Sequence, residues 1–194
     1  MLARDADIVA IDFETTGSVR GQANLPWQIG MAAVHNGRLV EDCGLSKYLN
    51  VPAEHHFNPY APGRWGEMRP VLAQSPSILI AWPELSPWLV GHPLLAHNAP
   101  TERKVLKDAF PMHEFGPWID TLCMSRMAYP HLNSHALSDI LDVLELTPVI
   151  EELCPNLAPH DAYYDAVGCA CLFAHIISLP AWNNVTLEYL SAIK

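Results

Sequence analysis

The feature that most constrains this chain is the run from Ile8 to Gly17, Ile-Val-Ala-Ile-Asp-Phe-Glu-Thr-Thr-Gly. Its first four residues are apolar, which suits a central strand buried on both faces of a sheet. Asp12 and Glu14 stand two residues apart, so their side chains leave the same face of that strand. Gly17 then lets the chain turn and lets a ligand approach the backbone closely.

Two carboxylates at the end of a buried strand repel each other and lose their contact with water. Folding does not compensate for that cost unless a cation lies between them. Oxygen ligands favour hard divalent ions such as Mg²⁺ or Mn²⁺. The run alone therefore allows two interpretations, a metal site or an ordinary strand end with two solvated acids.

A second polar segment, His97-Asn98-Ala99-Pro100-Thr101-Glu102, follows a brief apolar run at 94–96 that is predicted to be a strand. Glu102 opens a predicted helix that ends near Ala109 or Phe110. A carboxylate in the first turn of a helix is favoured by the helix dipole, so Glu102 also has a purely structural explanation.

The third segment is His160-Asp161-Ala162-Tyr163-Tyr164-Asp165-Ala166. Small and apolar residues then recur every three or four positions, which predicts a helix from Asp161 onward. His160 and Asp165 can face a common centre only if His160 precedes this helix on a loop, and Pro159 favours a turn there. Asp161 is predicted to be the N-cap or a first-turn acid rather than a ligand. Taken alone, His160 could equally be a helix-start histidine without a catalytic role.

In this order, the three segments resemble the motifs of the DnaQ-like 3′–5′ exonucleases, in the branch that carries a catalytic histidine. Residues 12–17 match the first motif, and His160, Ala162, Asp165 and Ala166 match the third. The second motif departs from the family's His-Asn-Ala-x-Phe-Asp, because Thr101 replaces the aromatic residue and Glu102 replaces the aspartate.

The resemblance implies an α/β, ribonuclease-H-like fold. Its central mixed sheet would have three antiparallel N-terminal strands followed by parallel strands, with flanking helices. The residues agree, since Pro26–His35 reads as a strand, Asn36-Gly37 is a strong hairpin signal, and Arg38 begins a returning strand. At 194 residues the chain is expected to form a single domain over 1–194.

The resemblance also assigns roles. Asp12 would bridge two divalent ions, Mg²⁺ or Mn²⁺, with Glu14 and Asp165 completing the first metal site and Glu102 holding the second, mostly through water. His160 would be the general base. The implied reaction releases nucleoside 5′-monophosphates from the 3′ end of single-stranded nucleic acid, with DNA slightly favoured. The residues expected beside the substrate are Thr15, Thr16, Gly17, His97 and Asn98.

Two alternatives stay open at this point. The chain could be a module that binds nucleic-acid ends and has lost turnover through Glu102, or an exoribonuclease that trims RNA or short oligonucleotides. Discrimination between DNA and RNA depends on contacts to the 2′-hydroxyl, which no motif reveals. A polymerase, repair or processing partner and the oligomeric state are equally open.

Composition limits the partners. The formal net charge is −10 and the eleven Lys and Arg residues are spread along the sequence, which favours a small footprint such as one strand end in a pocket. No apolar run reaches the roughly 18 residues that span a bilayer, so no membrane contact is expected. The N-terminus lacks a signal-peptide pattern, and a cytosolic location is expected. The five scattered cysteines predict buried free thiols.

Three further expectations concern local structure. Apolar spacing predicts a helix over 82–90, with Pro83 in its first turn and Pro87 shortening or bending it. The tail, 181–194, is predicted to be a short terminal helix. In the Pro- and Gly-rich stretch 50–69, regular structure should be short, and Phe57, Tyr60 and Trp65 either stack on bases or pin a surface loop.

Overall fold

A computed structural model describes residues 1–193, which form one five-stranded sheet with the strand order β3-β2-β1-β4-β5. β1 pairs antiparallel with β2 and β2 with β3, whereas β4 lies parallel to β1 and β5 parallel to β4. The predicted mixed sheet is therefore confirmed. The strands are β1 Ile8–Thr15, β2 Pro26–His35, β3 Arg38–Tyr48, β4 Leu94–Ala96 and β5 Trp118–Asp120.

Helices cover both faces of the sheet. The longest, α7, packs on β1, β2 and β3 together with α4, α5 and α6, while α2 and α3 pack on the opposite face. β1 alternates accordingly, with Ile8 and Ala10 toward α7 and with Val9, Ile11 and Phe13 toward α2 and α3. The helices are α1 Trp65–Leu72, α2 Ile78–Leu89, α3 Pro100–Ala109, α4 Thr121–Ala128, α5 Leu137–Val143, α6 Thr147–Leu153, α7 Ala162–Ser178 and α8 Leu187–Ala192.

The hairpin between β2 and β3 forms where the sequence predicts it. Asn36 and Gly37 both have positive φ, 50° and 69°, which the tight two-residue turn requires. His35 and Arg38 pair across the turn. This hairpin lies at the end of the sheet away from Asp12 and Glu14, because those residues pair with Gly30 and Gln28 near the start of β2.

Two helix predictions were wrong in their bounds. α2 begins four residues early, at Ile78, where the Ser77 hydroxyl accepts the Ile80 amide as an N-cap. Pro83 and Pro87 therefore lie inside the helix, on positions that are not buried, where water can satisfy the carbonyls left unpaired. The terminal helix begins only at Leu187, since the Thr186 hydroxyl caps it by accepting the Tyr189 amide.

The start of α7 rests directly on the sheet because two strand residues are glycines. A Cβ on Gly30 would lie 2.1 Å from the Ala162 carbonyl oxygen, and one on Gly44 would lie 2.3 Å from the Tyr163 ring. Gly30 is also the cross-strand partner of Asp12. The absence of a side chain at Gly30 therefore brings the first turn of α7 beside the first carboxylate of β1.

The cysteines agree with the prediction only in part. All five are free, but only Cys154 and Cys169 are buried, whereas Cys43, Cys123 and Cys171 are partly exposed. No described helix has the length and apolar character needed to cross a membrane.

Candidate active site

The site is built at the end of β1. Asp12 and Glu14 lie on the face of β1 that meets α7, opposite Gly30 and Gln28 of β2. Glu14 is 7% exposed, and Asp12 is half-buried. Two acids are thus held side by side where water reaches them poorly.

The third motif reaches the same place from α7. Asp161 is the N-cap, as predicted, since its Oδ1 accepts the amides of Tyr163 and Tyr164 at 3.0 and 3.4 Å. His160 lies outside the helix, as its spacing to Asp165 requires, and its backbone φ is +69°. Its amide donates to Asp165 Oδ2 at 3.0 Å, which ties the loop to the first turn of the helix.

Three potential ligand groups come together here. Donor atoms of Glu14, His160 and Asp165 all lie within 4.8 Å of one another. His160 Nδ1 is 4.0 Å from Glu14 Oε1, too far for a hydrogen bond, and the imidazole is about half exposed. The side chain can therefore turn toward a molecule that enters from solvent.

Gln28 holds this arrangement together. It is 1% exposed, and its Nε2 donates to Asp161 Oδ2 at 2.8 Å and to Ser46 Oγ at 3.3 Å. Its Oε1 accepts the Ala162 amide at 3.3 Å. Because Gln28 pairs with Glu14 across the strands, it connects the start of α7 to the strand position beside Glu14.

Glu102 reaches the site from the first turn of α3. It is only 3% exposed, and its Oε2 has no hydrogen-bond partner among residues 1–193. Asp120 holds the backbone just before it, accepting the amides of Asn98 and Ala99 at 3.0 and 3.1 Å. The start of α3 is thus fixed, while one oxygen of the carboxylate it carries has no partner among the described residues.

All four carboxylates have raised pKa values. Burial, and then the charges of Asp165, Glu102 and Glu14, raises the pKa of Asp12 well above its ordinary range. Burial is also the main cause at the other three, raising the pKa of Glu14 and of Glu102 to about 8 and that of Asp165 to about 7. Neighbouring acids add to the shift, whereas the His160 amide partly offsets it at Asp165.

These observations fit a divalent-cation site. No Lys or Arg within residues 1–193 forms an ion pair with any of the four carboxylates. A buried carboxylate oxygen without a partner is costly, and mutual repulsion adds to that cost. Oxygen-rich, carboxylate-lined clusters of this kind suit Mg²⁺ or Mn²⁺.

The loop after β1 is fixed mainly by its own contacts. Thr16 is fully buried, and its hydroxyl accepts the Leu25 amide at 3.0 Å while its amide donates to the Leu25 carbonyl at 2.8 Å. The Thr15 carbonyl accepts the Trp27 indole N–H at 3.2 Å. Gly17 has φ at +72°, and a Cβ there would lie 2.8 Å from Asn58 Cβ. Any contribution of Thr16 to substrate binding therefore comes through the shape of this loop.

His97 is engaged on both ring nitrogens. Nε2 faces the His135 carbonyl at 2.8 Å, so it carries the proton, and Nδ1 faces Thr121 Oγ1 at 3.0 Å. Burial lowers the pKa of His97, which keeps the ring neutral. Asn98, by contrast, is exposed with φ at +71°. Asn98 is therefore the member of this pair that a substrate can reach.

The aromatic residues of the 50–69 stretch divide into two kinds. Phe57 is buried and stacks on Trp65 with the ring centroids 4.7 Å apart, whereas Tyr60 is 92% exposed. A Cβ on Gly63, whose φ is +89°, would lie 3.1 Å from the His160 carbonyl oxygen and 3.6 Å from Glu14 Oε2. This stretch therefore forms one wall of the site.

Sequence reasoning gave no role to Gln28 or Gly63. A signal for Gln28 existed, because a lone amide inside the apolar strand Trp27–Val34 must find a buried partner. No local pattern marks Gly63, whose place beside Glu14 depends on how the loop folds back.

The fold and the acidic cluster together define a nuclease of ribonuclease-H-like architecture. The chain belongs to the exonuclease family RNase_T, whose match extends over residues 9–173. The enzyme class predicted from the sequence is therefore confirmed as an exonuclease. A comparison with curated proteins gives no match.

Solved structures share the fold. Exonuclease X in complex with 5′-overhanging duplex DNA superposes with a TM-score of 0.70 at 23% identity, covering 96% of this chain and 98% of that one. Pop2p of S. pombe, in a Mg²⁺- and Mn²⁺-bound form, gives 0.70 at 16%, covering 97% and 89%. The nuclease domain of 3′hExo, a DEDDh family member bound to rAMP, gives 0.69 at 14%, covering 94% and 96%.

Proposed function

We propose that the protein removes nucleotides from the 3′ end of single-stranded nucleic acid by two-metal hydrolysis, releasing nucleoside 5′-monophosphates. The observation that carries the proposal is the convergence of donor atoms of Glu14, His160 and Asp165 within 4.8 Å, together with the buried carboxylate of Glu102, whose Oε2 has no hydrogen-bond partner among residues 1–193. A structural ion cluster would need no exposed histidine at its edge.

Each side chain has a distinct task in this proposal. Asp12, Glu14 and Asp165 would hold one divalent ion, and Asp12 with Glu102 would hold a second, partly through water. When bound, such ions neutralise charge on the phosphodiester and activate water. His160 accepts the proton of the attacking water, for which its half-exposed ring is suited.

The strand end would lie against the loop after β1. Gly17, which is half-buried, would offer its backbone to the terminal nucleotide, and the exposed Asn98, four residues before Glu102, would offer its side-chain amide. The aromatic face of Tyr60 is exposed on the wall formed by the 50–69 stretch. DNA is the first substrate to test, with RNA of the same sequence beside it.

The decisive experiment uses 5′-labelled single-stranded DNA and the matching RNA, incubated with Mn²⁺, with Mg²⁺ and with EDTA. A metal-dependent ladder that shortens from the 3′ end supports the proposal, and the relative rates give the sugar preference. An intact label with every metal would instead point to a module that binds ends without turnover, and Glu102 would be the first residue to test.

His160→Ala separates proton transfer from metal binding. Turnover should fall by roughly 10²-fold or more, because a positioned general base contributes about that factor. Metal-induced stabilisation should be unchanged, since the carboxylates remain. A wild-type rate in this variant would show that another group accepts the proton.

A further inference from the structure

We propose that a groove between α3 and the segment before β5 binds the single-stranded nucleic acid upstream of the 3′ end. This inference rests on the proposed function, because it extends the same substrate beyond the catalytic centre. The groove has a volume of about 570 Å³, and its lining combines three cations from α3 with aromatic rings and one acid, Glu114.

The cations lie within five consecutive positions of α3, residues 103–107. Arg103, Lys104 and Lys107 are all exposed on the side of α3 opposite the buried Val105 and Leu106. They are three of only eleven basic residues in a chain whose net charge is −10. The expectation that positive charge is dispersed therefore does not hold on α3, because three of the basic residues are exposed on one side of this helix.

Two of these charges are not neutralised inside the described protein. Lys104 pairs with Asp108 at 2.6 Å, whereas Lys107 Nζ donates to the Pro111 carbonyl at 2.9 Å, which orients its charge without cancelling it. Within residues 1–193, Arg103 takes part in no ion pair. Arg103 also lies in the first helical turn, where the dipole disfavours a cation. Local folding thus gives Arg103 no electrostatic benefit.

Aromatic rings form the opposite wall. His113 stacks on Phe115 with ring centroids 5.9 Å apart and planes 15° apart, and Trp118 lines the same groove. Phe115 and Trp118 are half-buried, so each ring is partly packed and partly open to solvent. Cations for the phosphates beside aromatic faces for the bases are the combination that binds single strands without sequence preference.

The groove begins near the carboxylates and leads away from them along α3. Arg103 follows Glu102 directly, with its side chain on the exposed side of the helix and that of Glu102 on the buried side. Trp118 pairs with Leu94 at the level of Val9, three residues before Asp12. Arg103 and Lys107 are four residues apart, on the same face and about 6 Å along the helix axis. That distance accommodates about two phosphates at the roughly 3.4 Å axial spacing of a DNA strand. The occupant is therefore a short stretch of upstream strand rather than a long duplex.

The test compares Arg103→Gln/Lys107→Gln with wild type on two substrates, a single-stranded 15-mer and a dinucleotide. On the 15-mer, KM should rise about 10-fold at low salt with kcat unchanged, because two phosphate contacts are lost. The slope of log KM against log salt should fall by about 1.4, which is about 0.7 for each contact on a single strand. Kinetics on the dinucleotide should not change.

Arg4→Gln/Arg38→Gln is the matched control, since it removes two exposed cations near the β2–β3 hairpin at the far end of the sheet. If both double variants behave alike on the 15-mer, the groove does not bind the strand and the inference is wrong. Absence of hydrolysis of either substrate by wild type would instead refute the proposed function. Thermal unfolding of each variant confirms that all are folded.

Discussion

Two helices bring acids to the end of β1, and they do so in different ways. The start of α7 is held by the N-cap of Asp161, by the Gln28 amide and by the direct seat on Gly30. The start of α3 is also held, by Asp120, yet the carboxylate of Glu102 ends in a buried oxygen without a partner in the described chain. The α7 side of the site is held by the protein's own contacts, whereas on the α3 side one carboxylate oxygen of Glu102 lacks a partner within the described residues.

This difference indicates where a bound cation contributes most. On the α7 side, Asp165 already accepts the His160 amide, so the geometry of that half exists before any ligand arrives. On the α3 side, Glu102 Oε2 would gain its partner from a ligand. We therefore expect changes on the α7 side to disturb alignment, and changes at Glu102 to disturb ion binding and the stability of the metal-free protein.

The largest effect is expected from Asp165→Ala. Turnover should fall by at least about 10³-fold, because the change removes both a proposed metal ligand and the acceptor of the His160 amide. Single-turnover assays with saturating Mn²⁺ measure it. Asp5→Ala, an exposed acid near the N-terminus, is the control and should keep the wild-type rate.

Glu102→Gln should show most clearly how the α3 side of the site differs from the α7 side. We expect kcat to fall about 10²-fold and the Mg²⁺ requirement to rise, since a neutral amide is a poorer ligand for the ion. At pH 8 the metal-free variant should nevertheless unfold at a higher temperature than wild type, because a buried unpaired charge is gone. Glu188→Gln, on an exposed position, should do neither. A lower unfolding temperature for Glu102→Gln would mean that the carboxylate is satisfied in solution.

The alignment of the site on the α7 side can be tested by reversing the donor and acceptor in the hydrogen bond between Gln28 and Asp161. Gln28→Glu alone places a second carboxylate against Asp161 and should lower kcat by about 10-fold or more. Asp161→Asn alone sets two amide groups against each other. The double variant restores a donor facing an acceptor, since the new amide at position 161 can donate to the new carboxylate and still cap α7 through its Oδ1.

Recovery of kcat to within about 3-fold of wild type in the Gln28→Glu/Asp161→Asn variant would establish the contact as a positioning device. A merely structural role would restore the unfolding temperature but leave kcat low. Asp139→Asn combined with Gln28→Glu serves as the mismatched pair and should show no recovery.

The smallest effect is a pH dependence of stability. The pKa values of Glu14 and Glu102, about 8, and of Asp165, about 7, exceed the ordinary 4.5 and 3.8. The folded metal-free protein therefore binds these protons more tightly than the unfolded chain does, and it loses stability as pH rises from about 4.5 through 8. Each kcal/mol of stability lost lowers Tm by about 2–4 °C in a domain of this size.

Added Mg²⁺ should reverse that trend, raising Tm more at pH 8 than at pH 5, because it binds the ionised carboxylates. Scanning calorimetry in EDTA and in Mg²⁺ across this range measures both slopes. A Tm in EDTA that rises with pH between 5 and 8 would contradict the burial of these charges.

Much of the fold could be predicted because its signals are local. The apolar run before Asp12, the Asn36-Gly37 turn and the small residues of α7 each depend on neighbours within a few positions. The same reasoning failed at α2, where Ser77 caps the helix earlier than the apolar stripe suggested. Because the Ser77 hydroxyl caps the helix and both prolines lie on positions open to water, the helix continues on the N-terminal side of Pro83 instead of starting there.

By itself, the sequence determined the order of the elements and the spacing of the three motifs, because periodicity and spacing depend on nearby residues. The resemblance of those motifs to known ones then indicated the exonuclease family. The tertiary structure decided the contacts that need distant segments. Gln28 meets Asp161 across 133 residues, Glu102 becomes buried without a partner in the described chain, and α3 joins its cations to the aromatic wall before β5. These outcomes depend on how closely the helices approach the sheet. That distance is set by the volume of the side chains at each contact, as at Gly30, where a side chain would collide with the start of α7.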